Sequence, residues 1–527
     1  MNILLKNKHF GISILLLLAV KQLTWSGFIP LWQFPDEQAH FAQVQNLVEE
    51  GVTFSTNPGA TTSKEVYESE VLLGTVRDDL GNNKYTYHPE YNLEYTNSVQ
   101  GKLESAISNF PPQFRHERII KEATGYPPLF YQLSSLGYRL SYNQDLFTRV
   151  FVTRLVNLLL FILFYVVVYL IGRELFINRQ FAFWLALLVV FQPMFSFVMA
   201  GVNSDNLFNL LFTTAIFISL RLLNRGWQVS TLLLALVNLF LIMKTKPHGI
   251  LVALIYLFPL IYLFLQKRRV PVKYVVVIAV ILFVGFGRVV ADIARGGQVI
   301  PEIGQFNEMP PLSIDGYMVH LKNVLVQSYR LILPWYWGVF RWLSLTYPRL
   351  VHRVINVITL VGLAGLLMFM RQIFSSPPRS LVKPKLFFFL VYASGVYFLT
   401  LTVFDYVFTK TYGFSFGFQG RYFFPLISAH IALLFIGIAT CLGVVFKMPL
   451  NFTRYLVIGM IALHMYAQYF VIASYYHSED LANFFLKASQ YKPWFFKTPF
   501  LEIMILILLY ITSLTVFKII RINESKH

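Results

Sequence analysis

The stretch Phe34-Pro35-Asp36-Glu37-Gln38-Ala39-His40-Phe41 places two adjacent carboxylates directly after the first long apolar run of the chain, with a histidine four residues beyond the first. Holding ionisable groups this close to lipid is costly, so they are functional hypotheses by default. A carboxylate in such a position is suited to take a proton from a hydroxyl. The same residues are also good chemistry for starting a helix, because proline and acidic side chains both favour a first turn. Taken alone, the cap and the base explain Asp36 equally well, and the two roles are compatible. His40, one helical turn after Asp36, faces the same way; it suits a substrate hydrogen bond or simply an interfacial position.

Cations recur near other span ends. Lys244 and Lys246, in Lys244-Thr245-Lys246-Pro247-His248, suit a phosphate as point charges, and Arg154 or Arg421 could grip one through two donors. For any one of them, snorkelling to the headgroups is the simpler account. Four on one membrane face are better explained by a buried anion. In Gly201-Val202-Asn203-Ser204-Asp205-Asn206, Asp205 is a second carboxylate that could orient an acceptor, hold a cation or cap the next helix. Asn203, His248, Gln419 (in Gln419-Gly420-Arg421-Tyr422) and Tyr126 complete the candidate substrate-binding residues. No Asp-x-Asp pair is present, so no metal ligand set is expected and metal-nucleotide-sugar chemistry has no support, although a divalent cation remains compatible with Asp205. The aromatic runs around Trp335-Tyr336-Trp337 and Phe414–Phe418 are mostly explained by interfacial belts.

The elements that must position these residues are membrane helices. Of 527 residues 56% are hydrophobic and 13% charged, which is the composition of an integral membrane protein. The single cysteine, Cys441, lies in an apolar run and excludes a disulfide framework or thiolate metal site. The net charge of +18 is carried by short clusters between apolar spans. That is the positive-inside pattern rather than a nucleic-acid surface, so no nucleic-acid partner is expected. Glycine fingerprints for dinucleotides or phosphate loops are missing. Lys6 and Lys8 before an apolar run resemble a signal peptide, but no small-residue cleavage site follows, so a retained first helix is expected.

Spans able to cross about 30 Å of hydrocarbon fall near 10–31, 147–171, 181–199, 204–222, 229–243, 248–265, 274–290, 352–371, 386–404, 422–446, 453–473 and 499–519, about twelve in all. The 229–265 pair is the weakest, being interrupted at 244–248. Alternate loops are basic: Arg173 and Arg179; Arg221 and Arg225; Lys267, Arg268, Arg269 and Lys273; Arg371, Arg379, Lys383 and Lys385; Lys447 and Arg454; and the tail with Lys518, Arg521 and Lys526. Both termini are therefore expected in the cytoplasm of a plasma-membrane protein. The opposite face receives the carboxylates and the out-of-place cations. The organisation expected is an all-α polytopic protein: a first helix at 1–32, an extracytoplasmic capping subdomain with short helices at 33–146, a membrane core at 147–290, an extracytoplasmic or interfacial segment at 291–351, and C-terminal helices at 352–527.

Several motifs together resemble the GT-C superfamily of multi-spanning glycosyltransferases. They are the carboxylate after the first span, the long loop closing with Gly125-Tyr126-Pro127-Pro128-Leu129-Phe130-Tyr131, and Thr153-Arg154-Leu155. Pro-Asp-Glu-x-x-His-Phe, Asn-Ser-Asp-Asn and Gln-Gly-Arg-Tyr-Phe-Phe-Pro resemble a bacterial branch akin to protein O-mannosyltransferases. The resemblance implies an inverting transfer of a hexose or pentose from a polyprenyl-phosphate donor to an envelope glycan or other extracytoplasmic acceptor. It makes Asp36 the base, with Glu37 beside it, and Lys244, Lys246, Arg154 and Arg421 the groups that stabilise the departing phosphate. The chain lacks Trp-Trp-Asp, which disfavours block transfer to asparagine. Two other readings compete: a transporter or flippase of lipid-linked glycans, which predicts repeats and midplane charges, and a polymerase or ligase using an oligosaccharide-pyrophosphate donor.

Overall fold

The computed structural model describes residues 8–51, 61–78, 81–98, 100–121, 125–266, 280, 312–375, 381–448 and 452–521. The chain opens with α1 (Lys8–Phe28), followed by a loop region holding α2 (Glu37–Glu49), β1 (Thr61–Ser63), α3 (Lys64–Leu73), α4 (Lys102–Ser108), β2 (Arg118–Ile120) and α5 (Leu129–Leu140). The core follows as α6 (Leu146–Leu175), α7 (Arg179–Val190), α8 (Pro193–Val198), α9 (Asp205–Arg225), α10 (Val229–Met243) and α11 (Leu251–Gln266). Next come α12 (Ile314–Gln327), α13 (Leu333–Trp337), a small hairpin of β3 (Val339–Phe340) and β4 (Leu345–Thr346), then α14 (Arg349–Ser375) and α15 (Pro384–Tyr412). A 3-10 turn (Gly420–Leu426) leads into α16 (Ile427–Val444), and α17 (Thr453–Tyr476), α18 (Leu481–Ala488) and α19 (Phe500–Arg521) finish the chain.

Among the described residues nine helical segments are long and apolar enough to cross a membrane. They correspond to nine of the expected twelve. The other three differ in instructive ways. The expected span 181–199 is broken into α7 and α8, and 229–243 is a helix of 15 residues, short for a crossing. The third, 274–290, lies outside the described residues apart from position 280, as do the cations Lys6, Lys267–Arg269, Lys273, Arg379 and Lys526, and residues 291–311 of the expected interfacial segment. Among the described residues sheet is confined to two antiparallel two-stranded pairs, β1 with β2 and β3 with β4. The protein is an all-α polytopic membrane protein.

The break between α7 and α8 has a local cause and a distant brace. Pro193 cannot donate a backbone N–H, which suits the first position of a new helix but ends the old one. The side chain of Gln192 caps α8 by accepting from Phe195 N at 2.5 Å. From α1, the fully buried Lys21 donates to the carbonyl of Val190 at 2.7 Å and to Ser196 Oγ at 2.8 Å. The Lys21 amino group thus satisfies the carbonyl end of α7. This identifies the partners of Lys21, which is in the middle of the first span. Gln192 also donates to the carbonyl of Tyr336 at 2.5 Å, so the break anchors α13.

The loop region is fastened to the core through α2 and α5, which pack on each other, while α5 packs on α6. Two buried ion pairs hold that junction. Arg149 on α6 pairs with Glu65 on α3 and also donates to Tyr138 Oη at 2.8 Å. The other pair, Glu37 with Arg154, lies beneath the candidate site. Farther along, glycines let α14 and α16 touch backbone to backbone. A Cβ added at Gly365 would sit 1.9 Å from the carbonyl oxygen of Gly437.

Candidate active site

Asp36 begins α2 in a left-handed conformation (φ 58°, ψ 15°), which aspartate tolerates better than most side chains. Although it occupies the N-cap position, its side chain makes no capping bond. The carboxylate faces away from the helix. Oδ1 accepts from Arg77 Nη1 and Oδ2 from Arg421 Nη2, each at 2.7 Å. The side chain keeps 31% of its exposure, whereas both arginines are under a tenth exposed, so the carboxylate stands at the mouth of the cluster. Burial by itself would raise the Asp36 pKa. The guanidinium of Arg421, then that of Arg77, outweighs it and holds the carboxyl far below the usual range.

Glu37 does something different. It is fully buried, and both of its oxygens are gripped by Arg154, at 2.8 Å from Nε and 2.6 Å from Nη2. Val202 N also donates to Oε1 at 3.2 Å. The remaining donors of Arg154 reach the carbonyls of Ser26, Ile29 and Pro30. All five N–H groups of that guanidinium are therefore spent inside the protein. The expectation that Glu37 is catalytic and that Arg154 binds phosphate is corrected on this geometry. The pair instead ties the end of α1 and the turn after it to α6. The left-handed residue Asp36 is what sends two neighbouring carboxylates in different directions.

Four more of the expected residues join Asp36. Asp205, the first residue of α9, accepts from Lys246 Nζ at 2.5 Å. Lys246 also lies 4.4 Å from the centroid of the Tyr126 ring. Burial would lower its pKa, but Asp205 outweighs that and raises it. Tyr126 stacks on His40 with centroids 6.2 Å apart, and His40 Nδ1 is 2.9 Å from Tyr131 Oη. Burial, reinforced by the charge of Lys246, pushes the His40 pKa down to about 3. His40 is thus a neutral imidazole at the floor of the cluster. Among the described residues three cations (Arg77, Arg421, Lys246) face two carboxylates (Asp36, Asp205), an excess of one positive charge.

The frame around the cluster is specific. Asn203 donates to the carbonyl of Pro35 at 3.0 Å and accepts from Asp205 N at 2.9 Å. It braces both carboxylates and has its side chain occupied on both sides, so its expected role in substrate binding is replaced by a positioning one. Gly201 packs on Phe34, where an added Cβ would come within 2.5 Å of that ring. The turn carrying Arg421 lies directly on α13: a Cβ at Gly420 would be 2.1 Å from Tyr336 N. Gln419, half-buried, supplies its carbonyl to Tyr422 N at 3.1 Å. Leu129 N donates to the carbonyl of Lys244 at 3.1 Å, joining the Tyr126 turn to the Lys246 turn.

Lys244 and His248 are not drawn into the cluster's interior. Both are exposed; the Lys244 ammonium lies 5.7 Å from the Phe240 ring centroid, and His248 packs on Phe208 with centroids 4.5 Å apart. Arg77 is the residue the sequence did not single out. It follows α3 in a long polar loop with no flanking pattern, and only the folded chain brings it to Asp36 and within 5.8 Å of the Trp342 ring centroid. Among the described residues no three His, Cys, Asp or Glu side chains gather as metal ligands. The two oxygens of Asp36 are taken by guanidinium groups.

No curated protein matches the chain. Among solved structures it is similar to the Archaeoglobus fulgidus oligosaccharyltransferase tethered with an acceptor peptide, at 14% identity and TM-score 0.42, over 92% of this chain and 56% of that one. It is also similar to ArnT from Cupriavidus metallidurans bound to undecaprenyl phosphate, at 14% identity and TM-score 0.40, over 96% and 77%. A further similarity is to the archaeal oligosaccharyltransferase AglB from Archaeoglobus fulgidus in complex with an inhibitory peptide and a dolichol-phosphate, at 14% identity and TM-score 0.39, over 97% and 55%. The chain spans about half the length of the oligosaccharyltransferase chains it matches. A family model described as "Predicted membrane protein (DUF2142)" matches residues 20–429, which is most of the chain. The protein therefore belongs to the DUF2142 family of membrane proteins.

Proposed function

We propose that this protein is an inverting membrane glycosyltransferase of the GT-C type. It would move a sugar from a polyprenyl-phosphate donor to a hydroxyl of an envelope glycan or another acceptor on the extracytoplasmic face. The observation that carries the reading is the Asp36 carboxylate at a partly open mouth, flanked by Arg77, Arg421 and the Asp205–Lys246 pair. A base and an anion-binding set stand side by side, which is what displacement of a phosphate by a hydroxyl requires.

In this reading Asp36 removes the proton of the acceptor hydroxyl. The acceptor oxygen then forms its bond to the anomeric carbon while the bond from that carbon to the phosphate oxygen breaks. The electron pair goes to the phosphate, whose charge rises and is met by Arg421 and Lys246. Asp205 holds Lys246 in place. Tyr126 and the neutral His40 offer a flat face and a polar edge for a sugar. The single excess positive charge of the cluster complements the single negative charge of a phosphodiester donor.

The placement of the cluster also supports an enzyme over a carrier. Asp205 is the first residue of α9, and Arg421 the second of the segment Gly420–Val444. The charges gather at span ends rather than at mid-height between repeats, where carriers bind their substrates. To test the reading, purified protein in lipid nanodiscs is given a polyprenyl-phosphate sugar and extracted envelope glycans. Transfer that disappears in Asp36→Asn supports it, and equal transfer by the variant refutes Asp36 as base. A preference for pyrophosphate-linked oligosaccharide in the same assay would favour a polymerase or ligase instead.

A further inference from the structure

Arg421 is only partly used. Its Nη2 donates to Asp36 and the guanidinium also acts on the neighbouring Tyr422 hydroxyl, whereas Nε and Nη1 are buried with no acceptor in hydrogen-bond geometry. Leaving charged donors buried and unpaired is expensive; Arg154 on α6, by contrast, spends all five of its own. Each idle donor shares an edge of the guanidinium fork with Nη2, so an anion gripped through two N–H groups engages Nη2 as well. Meanwhile the ion pair that Arg421 makes weakens its neighbour as a base. With Arg77 on one oxygen and Arg421 on the other, the Asp36 carboxylate is held well below its usual proton affinity, although each oxygen keeps a second lone pair.

On the glycosyltransferase reading above, we infer that Arg421 changes partners during the reaction, so that the donor phosphate unmasks the base. The phosphate takes Nη2 of Arg421 together with one of the idle donors and draws the guanidinium off Asp36. Oδ2 of Asp36 is then open to the acceptor hydroxyl, while Arg77 continues to hold Oδ1 and keeps the carboxylate aimed. When the acceptor attacks, its proton passes to Oδ2, the glycosidic bond forms, and the sugar–phosphate bond breaks with its electrons on the lipid phosphate. That phosphate now carries more charge and holds Arg421 until it leaves. The proton passes to water, and Arg421 returns to Asp36. The arrangement imposes an order, donor before acceptor. It also keeps the base silent toward water and stray hydroxyls when no donor is present.

The exchange sets the direction and rough size of an effect on phosphate binding. If binding must first break the Asp36–Arg421 bond, removing the carboxylate must tighten binding. The probe is undecaprenyl phosphate titrated into the full chain in nanodiscs, read by intrinsic tryptophan fluorescence. Asp36→Asn is expected to bind it roughly tenfold more tightly than the natural protein, the size of one charge-assisted hydrogen bond. Arg421→Gln is expected to bind it at least about tenfold more weakly. Asp36→Ser provides the same comparison should the asparagine variant fail to fold. Unchanged or weaker binding in both Asp36 variants, with Arg421→Gln still impaired, overturns the exchange and leaves the glycosyltransferase reading standing. A natural protein that binds no polyprenyl phosphate overturns both.

Discussion

The carboxylate of Asp36 and the guanidinium of Arg421 meet at 2.7 Å although 385 positions separate them in the chain. Asp36 is set by the turn that ends α1, and Arg421 by a 3-10 turn pressed against α13. The side chain of Gln192 fixes α13 through the carbonyl of Tyr336, while Asn203 fixes the Asp36 turn through the carbonyl of Pro35. The broken helix α7–α8 and the turn after it therefore reach both halves of the pair. The break is part of the machinery that aligns the site.

Asp36→Asn should abolish transfer in a protein that still folds. A positioned base contributes about 10²- to 10⁴-fold, so sugar transfer measured by incorporation of labelled hexose should fall by at least two orders of magnitude. Thermal unfolding in detergent should remain cooperative, with a lowered midpoint because the nearly buried Arg77 and Arg421 lose their counter-charge. A variant retaining more than a tenth of the activity would remove Asp36 from the role of base.

Glu37→Gln should behave in the opposite way. Breaking one partner of a buried pair costs about 3–5 kcal/mol, and here both charges are fully buried. A large drop in the unfolding midpoint is expected, with whatever folded protein remains still binding undecaprenyl phosphate. A stable Glu37→Gln protein that has lost only its catalytic rate would restore Glu37 to the reaction.

Gly420→Ala tests the seat of Arg421. The added methyl meets the backbone nitrogen of Tyr336 at 2.1 Å, which no side-chain rotation can relieve. Overpacking of this kind costs about 1–3 kcal/mol. Weaker lipid-phosphate binding should accompany the lost stability, because the turn must shift and carry Arg421 with it. Unchanged binding in calorimetry would show that the seat is not needed.

His40 should make the fold acid-sensitive. Its pKa is lowered to about 3 in the folded protein, against about 6.5 in an unfolded chain. Above pH about 6.5 neither state takes the proton and stability is at its full value. As pH falls from there toward 3, the unfolded chain binds a proton that the folded one refuses, and stability drops. His40→Gln should flatten the slope of unfolding midpoint against pH in that window. Identical slopes would mean that His40 is protonated within the fold.

The broad architecture was legible from residue order because it depends on local runs. Stretches of about twenty apolar residues specify spans, and α1, α6, α9, α14, α15, α17 and α19 fall where such runs lie. Asp36 was legible because a charge just past an apolar run is costly wherever the chain goes next. Lys246, Asp205 and Arg421 carried the same signal at the starts or ends of their spans, and all three come to Asp36.

Other features were decided only by packing. Sequence treats Asp36 and Glu37 as one pair, yet a single left-handed residue separates them, one to the mouth and one to the interior. Arg154 and Arg421 look alike as cations near span ends; five occupied donors make the first structural, whereas two buried donors of the second meet no acceptor in hydrogen-bond geometry. Arg77 had no signal at all, since an arginine in a polar loop is ordinary until the loop folds. Composition and periodicity determine which segments cross the membrane, because the hydrophobic effect acts on each segment almost by itself. Which charges neutralise one another depends on distances of 3 Å between residues hundreds of positions apart, and only the tertiary structure sets those distances.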